Sequence, residues 1–338
     1  MAVRLWVLTD GKAGDEQQCL GVAEALGATE ALGATEALGG TVELRRVKPW
    51  APFVWLMPYG PIDPFEAPGR AGSPIAPPFP DVVIGSGRRA VPYMRHVRRA
   101  SRRRSFTVFL KDPVTGARTA DLIWVPEHDA LRGPNVIATL TPPHRFTAAR
   151  LAAARAAPDP RLAGLPRPRV AVLAGGPSKH YRFDAEDAAQ FLALLTRLAA
   201  TGVGLMATAS RRTPSPLREG LSRMIEGRGG FMWDGRGENP YLALLALADA
   251  IVVTADSYNM VGEAAATGAP ILVFEPSGGH PKLAAFLAGL KRHGAVHRFA
   301  GRLEGGPYPP LDSTPTIAEA VRTGLARHRR ALNLPEPG

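Results

Sequence analysis

Short apolar runs recur along the chain, each ended by glycine, proline or a small polar cluster. Val3–Leu8, Asp81–Gly85, Ser105–Leu110, Leu122–Val125 and Val136–Leu140 form one series, with Val42–Val47 a more polar strand among them. Arg169–Leu173, Gly204–Thr208, Phe231–Asp234, Ile251–Thr254 and Ile271–Phe274 form a second. Runs without a polar alternation fit strands buried on both faces, as in a parallel sheet. Between them lie segments of helical character: Glu16–Leu26, the stretch after Gly85, Arg145–Ala156, Ala185–Ala200 and Thr316–Arg330. Strands alternating with helices predict an α/β chain with helices on both faces of each sheet. The proline-punctuated stretch 158–168 reads as a linker, giving domains at 1–157 and 169–312 and a C-terminal helix and tail at 313–338.

The centre of this pattern is Ala248–Pro276, which reads as strand, polar turn, short helix and strand. The turn Ala255–Asn259 leads into a helix from about Met260, whose free first-turn N–H groups and dipole suit a phosphate. Glu263 sits about a turn in, where a carboxylate can accept hydrogen bonds from vicinal hydroxyls, as on a ribose. Gly268 and Pro270 stop the helix. The bland alternative makes Asp256 an N-cap and Glu263 a solvated helix residue.

Two more glycine turns follow first strands. Asp10-Gly11-Lys12-Ala13-Gly14-Asp15 follows the first run, and Gly175-Gly176-Pro177-Ser178-Lys179 follows Arg169–Leu173. A strand, glycine turn and helix bring backbone N–H groups up to an anion, although neither turn matches a dinucleotide or P-loop fingerprint and either could need glycine for geometry alone. Arg211 or Arg212, at the carboxyl end of Gly204–Thr208, is placed to meet a diphosphate, and Lys282 after the Ser277–Gly279 turn could close on it. His128, in Pro126-Glu127-His128-Asp129, is a second-rank candidate base.

The string Asp256-Ser257-x-Asn259-Met260-x-x-Glu263-Ala264-x-x-x-Gly268-x-Pro270 carries a resemblance. Its second half resembles the nucleotide-sugar motif of GT-B glycosyltransferases, in which the glutamate holds the donor ribose. The whole string resembles the mitochondrial fission protein family of the elongated-mitochondria type, which has bacterial members and a GT-B-like architecture. Asp10-Gly11-Lys12-x-Gly14, Gly175-Gly176-Pro177-Ser178, Pro126-Glu127-His128-Asp129 and Asn239-Pro240-Tyr241 extend it over essentially the whole chain. The resemblance implies two Rossmann-like domains with parallel sheets facing a central cleft, the first on the acceptor side and the second binding a nucleoside-diphosphate sugar, with the C-terminal helix and tail 313–338 packing back on the first. It implies Glu263 on the ribose and Gly11, Lys12, Gly14, Gly175, Gly176, Ser178, Lys179, Arg211, Asp256, Ser257, Asn259, Met260 and Lys282 around the donor, with Asp10 or Asp15 as the base for an acceptor hydroxyl. Eukaryotic members are linked to mitochondrial division through recruitment of a dynamin-type GTPase, so a non-enzymatic adaptor is the alternative to a metal-independent glycosyltransferase. A sugar-nucleotide epimerase is a third reading.

Composition narrows this picture in a few places. The 338 residues carry 41 Lys+Arg against 30 Asp+Glu, a formal charge of +11, which raises the odds of anionic partners without naming a nucleic acid. Arg95, Arg98, Arg99 and Arg102 fall on one helical face, extended by Arg103 and Arg104: a solvated face, or one drawn to anionic lipid. The loop Lys48–Pro80 carries Trp50, Phe53, Trp55, Tyr59 and Phe65, expected to pack across the sheet edge or else to form an acceptor or membrane contact. Cys19 is the one cysteine, which excludes an internal disulfide and fits a reducing compartment. No multi-cysteine metal site and no cofactor is expected. The N-terminus reads as a strand and no apolar run reaches spanning length, so the expectation is cytoplasmic, with peripheral membrane contact open. EALGAT, EALGAT and EALGGT at 24–41 read as a local duplication lengthening the first helix or its loop.

Overall fold

The computed structural model describes residues 3–30 and 40–334, so most of the second and the start of the third EALGAT copy lie outside the described residues. The chain divides into two compact units, residues 1–145 with 313–338, and residues 146–312. The first contains β1 (Leu5–Thr9), α1 (Ala13–Ala25), β2 (Ala28–Glu30), β3 (Gly40–Arg46), α2 (Phe53–Leu56), β4 (Val82–Ser86), α3 (Ala90–Ala100), β5 (Phe106–Leu110), β6 (Leu122–Pro126) and β7 (Val136–Thr139). The second contains α4 (Ala148–Ala156), α5 (Pro160–Ala163), β8 (Arg169–Ala174), α6 (Ala185–Ala199), β9 (Gly204–Ala209), α7 (Ser215–Glu226), β10 (Phe231–Met232), α8 (Tyr241–Leu247), β11 (Ala250–Thr254), α9 (Tyr258–Ala265), β12 (Ile271–Phe274), α10 (Pro281–Arg292) and β13 (Val296–Arg298). The last helix, α11 (Thr314–Ala331), returns to the first unit, where it packs on α1, β5 and β6.

The first sheet runs β2-β3-β1-β4-β5-β6-β7 and the second β10-β9-β8-β11-β12-β13, with every strand pair parallel. Counted within its unit, the second follows the doubly wound order 3-2-1-4-5-6, whereas the first runs 2-3-1-4-5-6-7, with the short β2 at its edge outside β3. The order reverses between β1 and β4 in one unit and between β8 and β11 in the other. Crevices at such switch points, outside the carboxyl strand ends, are where open α/β sheets take ligands.

The unpatterned apolar runs have their cause in two-sided burial. Leu5 and Val7 face α1 and α11 in a core with Cys19, Val22, Ile317 and Val321, while Trp6 and Leu8 face α3 in a core with Val91, Met94 and Val97. In the second unit Val170, Val172, Val252 and Leu272 pack with Phe191 of α6 and Leu217 of α7.

Three boundaries differ from the sequence reading. The units part at Arg145/Phe146, not in 158–168, because α4 packs on α8 of the second unit. The arginine-bearing helix stops at Ala100: Arg102 and Arg103 turn left-handed, and the Arg103 N–H closes on the Arg98 carbonyl, so Arg102 is off the helical face. Ala28–Glu30 is neither helix nor loop but an edge strand whose partners, Ala28 with Gly40 and Thr29 with Thr41, are equivalent positions of the first and third repeat copies.

Candidate functional site

In the second unit Asp256 follows β11 and is the hub of the switch-point crevice. Its side chain is closed to solvent. Oδ1 accepts from the Thr254 hydroxyl at 2.6 Å; Oδ2 accepts from the Gly176 N–H at 3.0 Å and from Arg212 Nη2 at 2.8 Å. Arg212 also donates to the carbonyls of Gly176 and Pro177, at 3.0 and 2.9 Å, which ties the β9 loop to the β8 loop. Both glycines are needed for this approach. A Cβ on Gly175 would sit 2.2 Å from Asp256 Oδ1, and one on Gly176 would sit 2.1 Å from the Arg212 carbonyl oxygen.

Beside the crevice, α9 begins at Tyr258, two residues earlier than the sequence suggests, because Ser257 caps it by accepting from the Met260 N–H at 3.4 Å. Glu263 lies about one and a half turns along the helix. It is set deep yet partly accessible, and Tyr241 at the start of α8 donates its hydroxyl to Oε2 at 2.7 Å. Among the described residues Oε1 has no hydrogen-bond partner. Burial drives the Glu263 carboxyl up to about 7 against the opposing pull of the Tyr241 hydrogen bond; burial, then the Glu263 charge, raises the Tyr241 hydroxyl well above its ordinary value. Asn239 places the tyrosine by accepting the Tyr241 N–H at 3.0 Å.

The loops after β8 and β12 close together at the same edge. Tyr181 bridges Gly278, the Gly279 N–H donates to the His180 carbonyl at 2.7 Å, and the His180 and His280 rings lie 4.1 Å apart. His180 is held below its ordinary value by burial and by the charges of His280 and Lys179.

The first unit builds its own crevice. Asp10 follows β1 with its side chain 2% exposed; Lys12 Nζ meets Oδ2 at 2.8 Å, and Oδ1 is buried without a hydrogen-bond partner. Gly87, after β4, has φ +92° and leaves no room for more: a Cβ there would lie 3.1 Å from Asp10 Oδ1.

The sequence profile of the family described as "Mitochondrial fission ELM1" matches residues 13–325. This chain belongs to that family. The Arabidopsis thaliana "Mitochondrial fission protein ELM1" is 31% identical over 278 residues, which cover 73% of this chain and 64% of that protein. A Rickettsia prowazekii protein, "Uncharacterized protein RP120", is 29% identical over 165 residues, or 46% of each chain. This ELM1-family chain thus spans less than two thirds of the length of both relatives. Among solved structures it is similar to the UDP-GlcNAc 2-epimerase of Methanocaldococcus jannaschii, with TM-score 0.52, 10% identity and 95% and 99% of the two chains covered. The Staphylococcus aureus MnaA–UDP structure gives TM-score 0.51 at 10% identity over 98% and 89% of the two chains. The Neisseria meningitidis UDP-GlcNAc 2-epimerase bound to UDP-GlcNAc gives 0.50 at 11% over 100% and 95%. At such identities the likeness carries the fold alone, a GT-B-like chain of two parallel α/β units.

Within the ELM1-family chain the expected site residues fall into distinct groups. Gly175, Gly176 and Asp256 come together, with Arg212 and not Arg211 joined to the carboxylate. Arg211 is exposed, with no partner among the described residues. Ser178 is a turn residue, its hydroxyl accepting from the His180 and Tyr181 N–H groups at 3.2 Å. Lys179 lies on the loop after β8, Lys282 is the second residue of α10 just past the loop bridged to it, and Asn259 and Met260 are in the first turn of α9. Gly11, Lys12, Asp10, Gly14 and Asp15 belong to the first unit. Gly14 and Asp15 are already inside α1, which starts at Ala13, and the Asp15 carboxylate is taken by Lys111. The Glu127–Asp129 turn is held by Arg132, which donates to the Glu127 carbonyl at 2.8 Å. Thr254 and Thr213, which wire the Asp256 crevice, were not singled out from sequence. Thr213 donates to the Ala174 and Gly175 carbonyls at 3.0 and 2.6 Å, and a threonine at a strand end gives no sign of that. Tyr241 had a signal in Asn239-Pro240-Tyr241, but nothing in sequence joined it to Glu263.

Proposed function

We propose that the second unit binds a nucleoside-diphosphate sugar at the carboxyl ends of β8 and β11, and that the chain is a glycosyltransferase. The observation that carries this reading is Glu263: a deep carboxylate with one oxygen fixed by Tyr241 and the other open, on a helix whose N-terminus lies at the switch point. Such a group can take the paired hydroxyls of a ribose. The first turn of α9 then faces the diphosphate, with the exposed Arg211, Lys179 of the β8 loop and Lys282 at the start of α10 adding positive charge where the leaving diphosphate gains negative charge. Arg212 has a different task, holding the loop glycines against Asp256. Deprotonation of the acceptor hydroxyl falls to Asp10, whose Oδ1 has no donor.

The test is thermal unfolding against UDP, GDP, ADP and their sugar derivatives. A ligand at 100 times its Kd adds about 2.7 kcal/mol of stability. One nucleotide sugar should raise the melting temperature, and Glu263→Ala should abolish the rise while Tyr241→Phe weakens it. A folded protein that none of the panel stabilises would overturn the donor site.

A further inference from the structure

The loop between Lys48 and Pro80 carries an uneven share of the exposed apolar surface. Trp50 and Trp55 are each 75% exposed, Phe65 73%, Tyr59 67% and Leu56 51%. Of the five aromatics expected to pack at the sheet edge only Phe53 does so, partly buried against the Trp6 core. The loop is nonetheless firmly anchored. Met57 and Ile75 are buried, and the fully buried Asp63 accepts from the Trp50 N–H at 2.8 Å and the Phe65 N–H at 2.9 Å. Its own N–H donates to the Tyr93 oxygen at 3.2 Å, and the Tyr93 hydroxyl donates to Glu66. A fixed scaffold therefore holds these side chains outward, forgoing about 1.5–3 kcal/mol of burial for each large one.

Next to this loop, five arginines, Arg95, Arg98, Arg99, Arg103 and Arg118, line a recess of about 330 Å³. Arg95 joins the two features: its Nη2 donates to the carbonyls of Pro58, Tyr59 and Gly60 at 2.9, 3.3 and 3.3 Å. Tyr59 in turn reaches the Val114 carbonyl, and Val114 is itself 58% exposed. Arg98 has a carboxylate partner, Asp121, at 2.5 Å. Arg99, Arg103 and Arg118 are exposed and have none among the described residues. Their charges crowd one another, and Arg95 is held below its ordinary value by burial and then by Arg99. An anion entering the recess would relieve that crowding.

We propose that this face of the first unit docks on an anionic lipid bilayer, Arg99, Arg103 and Arg118 meeting lipid phosphates while Trp55, Leu56 and Tyr59 enter the headgroup layer. Tryptophan and tyrosine favour that layer because it offers an apolar side and a wet side at once. Leu56 and Val114 argue for lipid over a soluble polyphosphate, which has no apolar layer to receive them. The surface is independent of the donor site, which lies in the other unit.

The experiment is flotation of the full chain with vesicles of phosphatidylcholine alone, or with about a third phosphatidylglycerol. Binding should require the anionic lipid, weaken as salt rises, and shift the tryptophan emission to the blue. R99E/R103E/R118E should weaken it about tenfold or more. A charge-matched control in the second unit, R223E/R228E/R236E, should leave it unchanged. Trp55→Ser with Leu56→Ser should weaken vesicle binding without altering binding of a single-stranded oligonucleotide. All these positions are exposed, and unchanged melting temperatures would confirm intact folding. Equal binding to neutral vesicles, equal loss in the control, or an oligonucleotide that binds as tightly and depends on the same aromatic positions would each overturn the proposal.

Discussion

The two crevices share a plan and differ in how their aspartates are satisfied. Asp256 and Asp10 each follow a strand at the switch point, closed to solvent and pressed by a glycine of a neighbouring loop. Asp256 has donors from Thr254, Gly176 and Arg212, which belong to the end of β11 and the loops after β8 and β9. Among the described residues Asp10 has the exposed Lys12 alone, and one of its oxygens is buried with no donor. A carboxylate met on every side is architecture, since each donor it satisfies would otherwise be buried at a cost. A half-met carboxylate keeps an oxygen able to accept one more hydrogen bond. The conspicuous Asp256-Ser257 string of the sequence marks a joint, and the less conspicuous Asp10 is the carboxylate to which the proposed function gives the chemistry.

The sharpest break of this comparison is Asp256→Ala. It strands the Gly176 N–H and the Thr254 hydroxyl and releases Arg212, so a loss of about 3–4 kcal/mol is expected; Arg212 itself softens the loss because it can turn to water. Chemical denaturation measures it. A loss under 1 kcal/mol would mean that Asp256 is no strut and that the contrast is false.

Legibility in the sequence followed the same division. The strands could be read almost to the residue, Ile271–Phe274 without error, because burial on both faces leaves an unbroken apolar run. Helix starts were read two or three residues late at α1 and α9, where helix begins before any apolar periodicity does. β13 and α7 were missed: Val296–Arg298 is too short to show a pattern, and α7 opens on Ser215-Pro216 in what reads as loop. At the site, residue types and loops were legible, because glycine turns and a carboxylate at helical spacing are local features. Which partner each would take was not. Arg211 and Arg212 are adjacent, and only the course of the β9 loop points one at Asp256 and the other outward. Tyr241 and Glu263 are 22 residues apart, joined only once α8 and α9 both start at the same sheet edge.

Glu263 offers a middle case, half-satisfied as Asp10 is but on the same unit as Asp256. With its folded value near 7 against an ordinary 4.5, the native protein keeps a proton that the unfolded chain releases between those values. Stability therefore declines as pH rises through that window and is lowest above about pH 7. Glu263→Gln removes the titration and should stabilise the protein by about 2–3 kcal/mol at pH 8, falling to near zero at pH 4.5, with the lower end of the range set by water at the open Oε1. Melting temperatures across pH 4.5–8 check the slope. A Gln variant that keeps the wild-type slope would show that Glu263 ionises as freely as a surface carboxylate, and its place beside Asp10 in the comparison would fall.

The smallest effect is the most discriminating. Asp10→Asn keeps the shape, removes an ion pair whose lysine is largely exposed and so of little worth, and replaces a carboxylate oxygen that has no donor among the described residues, so stability should change by less than about 1 kcal/mol. If Asp10 is the acceptor base, the same variant should bind a nucleotide sugar as the parent does yet lose turnover by about two to four orders of magnitude, since an amide accepts no proton. Binding and rate must be measured on one preparation, because each outcome alone has another cause. A loss of stability comparable to that of Asp256→Ala would make Asp10 a second strut. Unchanged turnover would leave its buried Oδ1 as strain without a use, and the two crevices would then differ in hydrogen bonding but not in role.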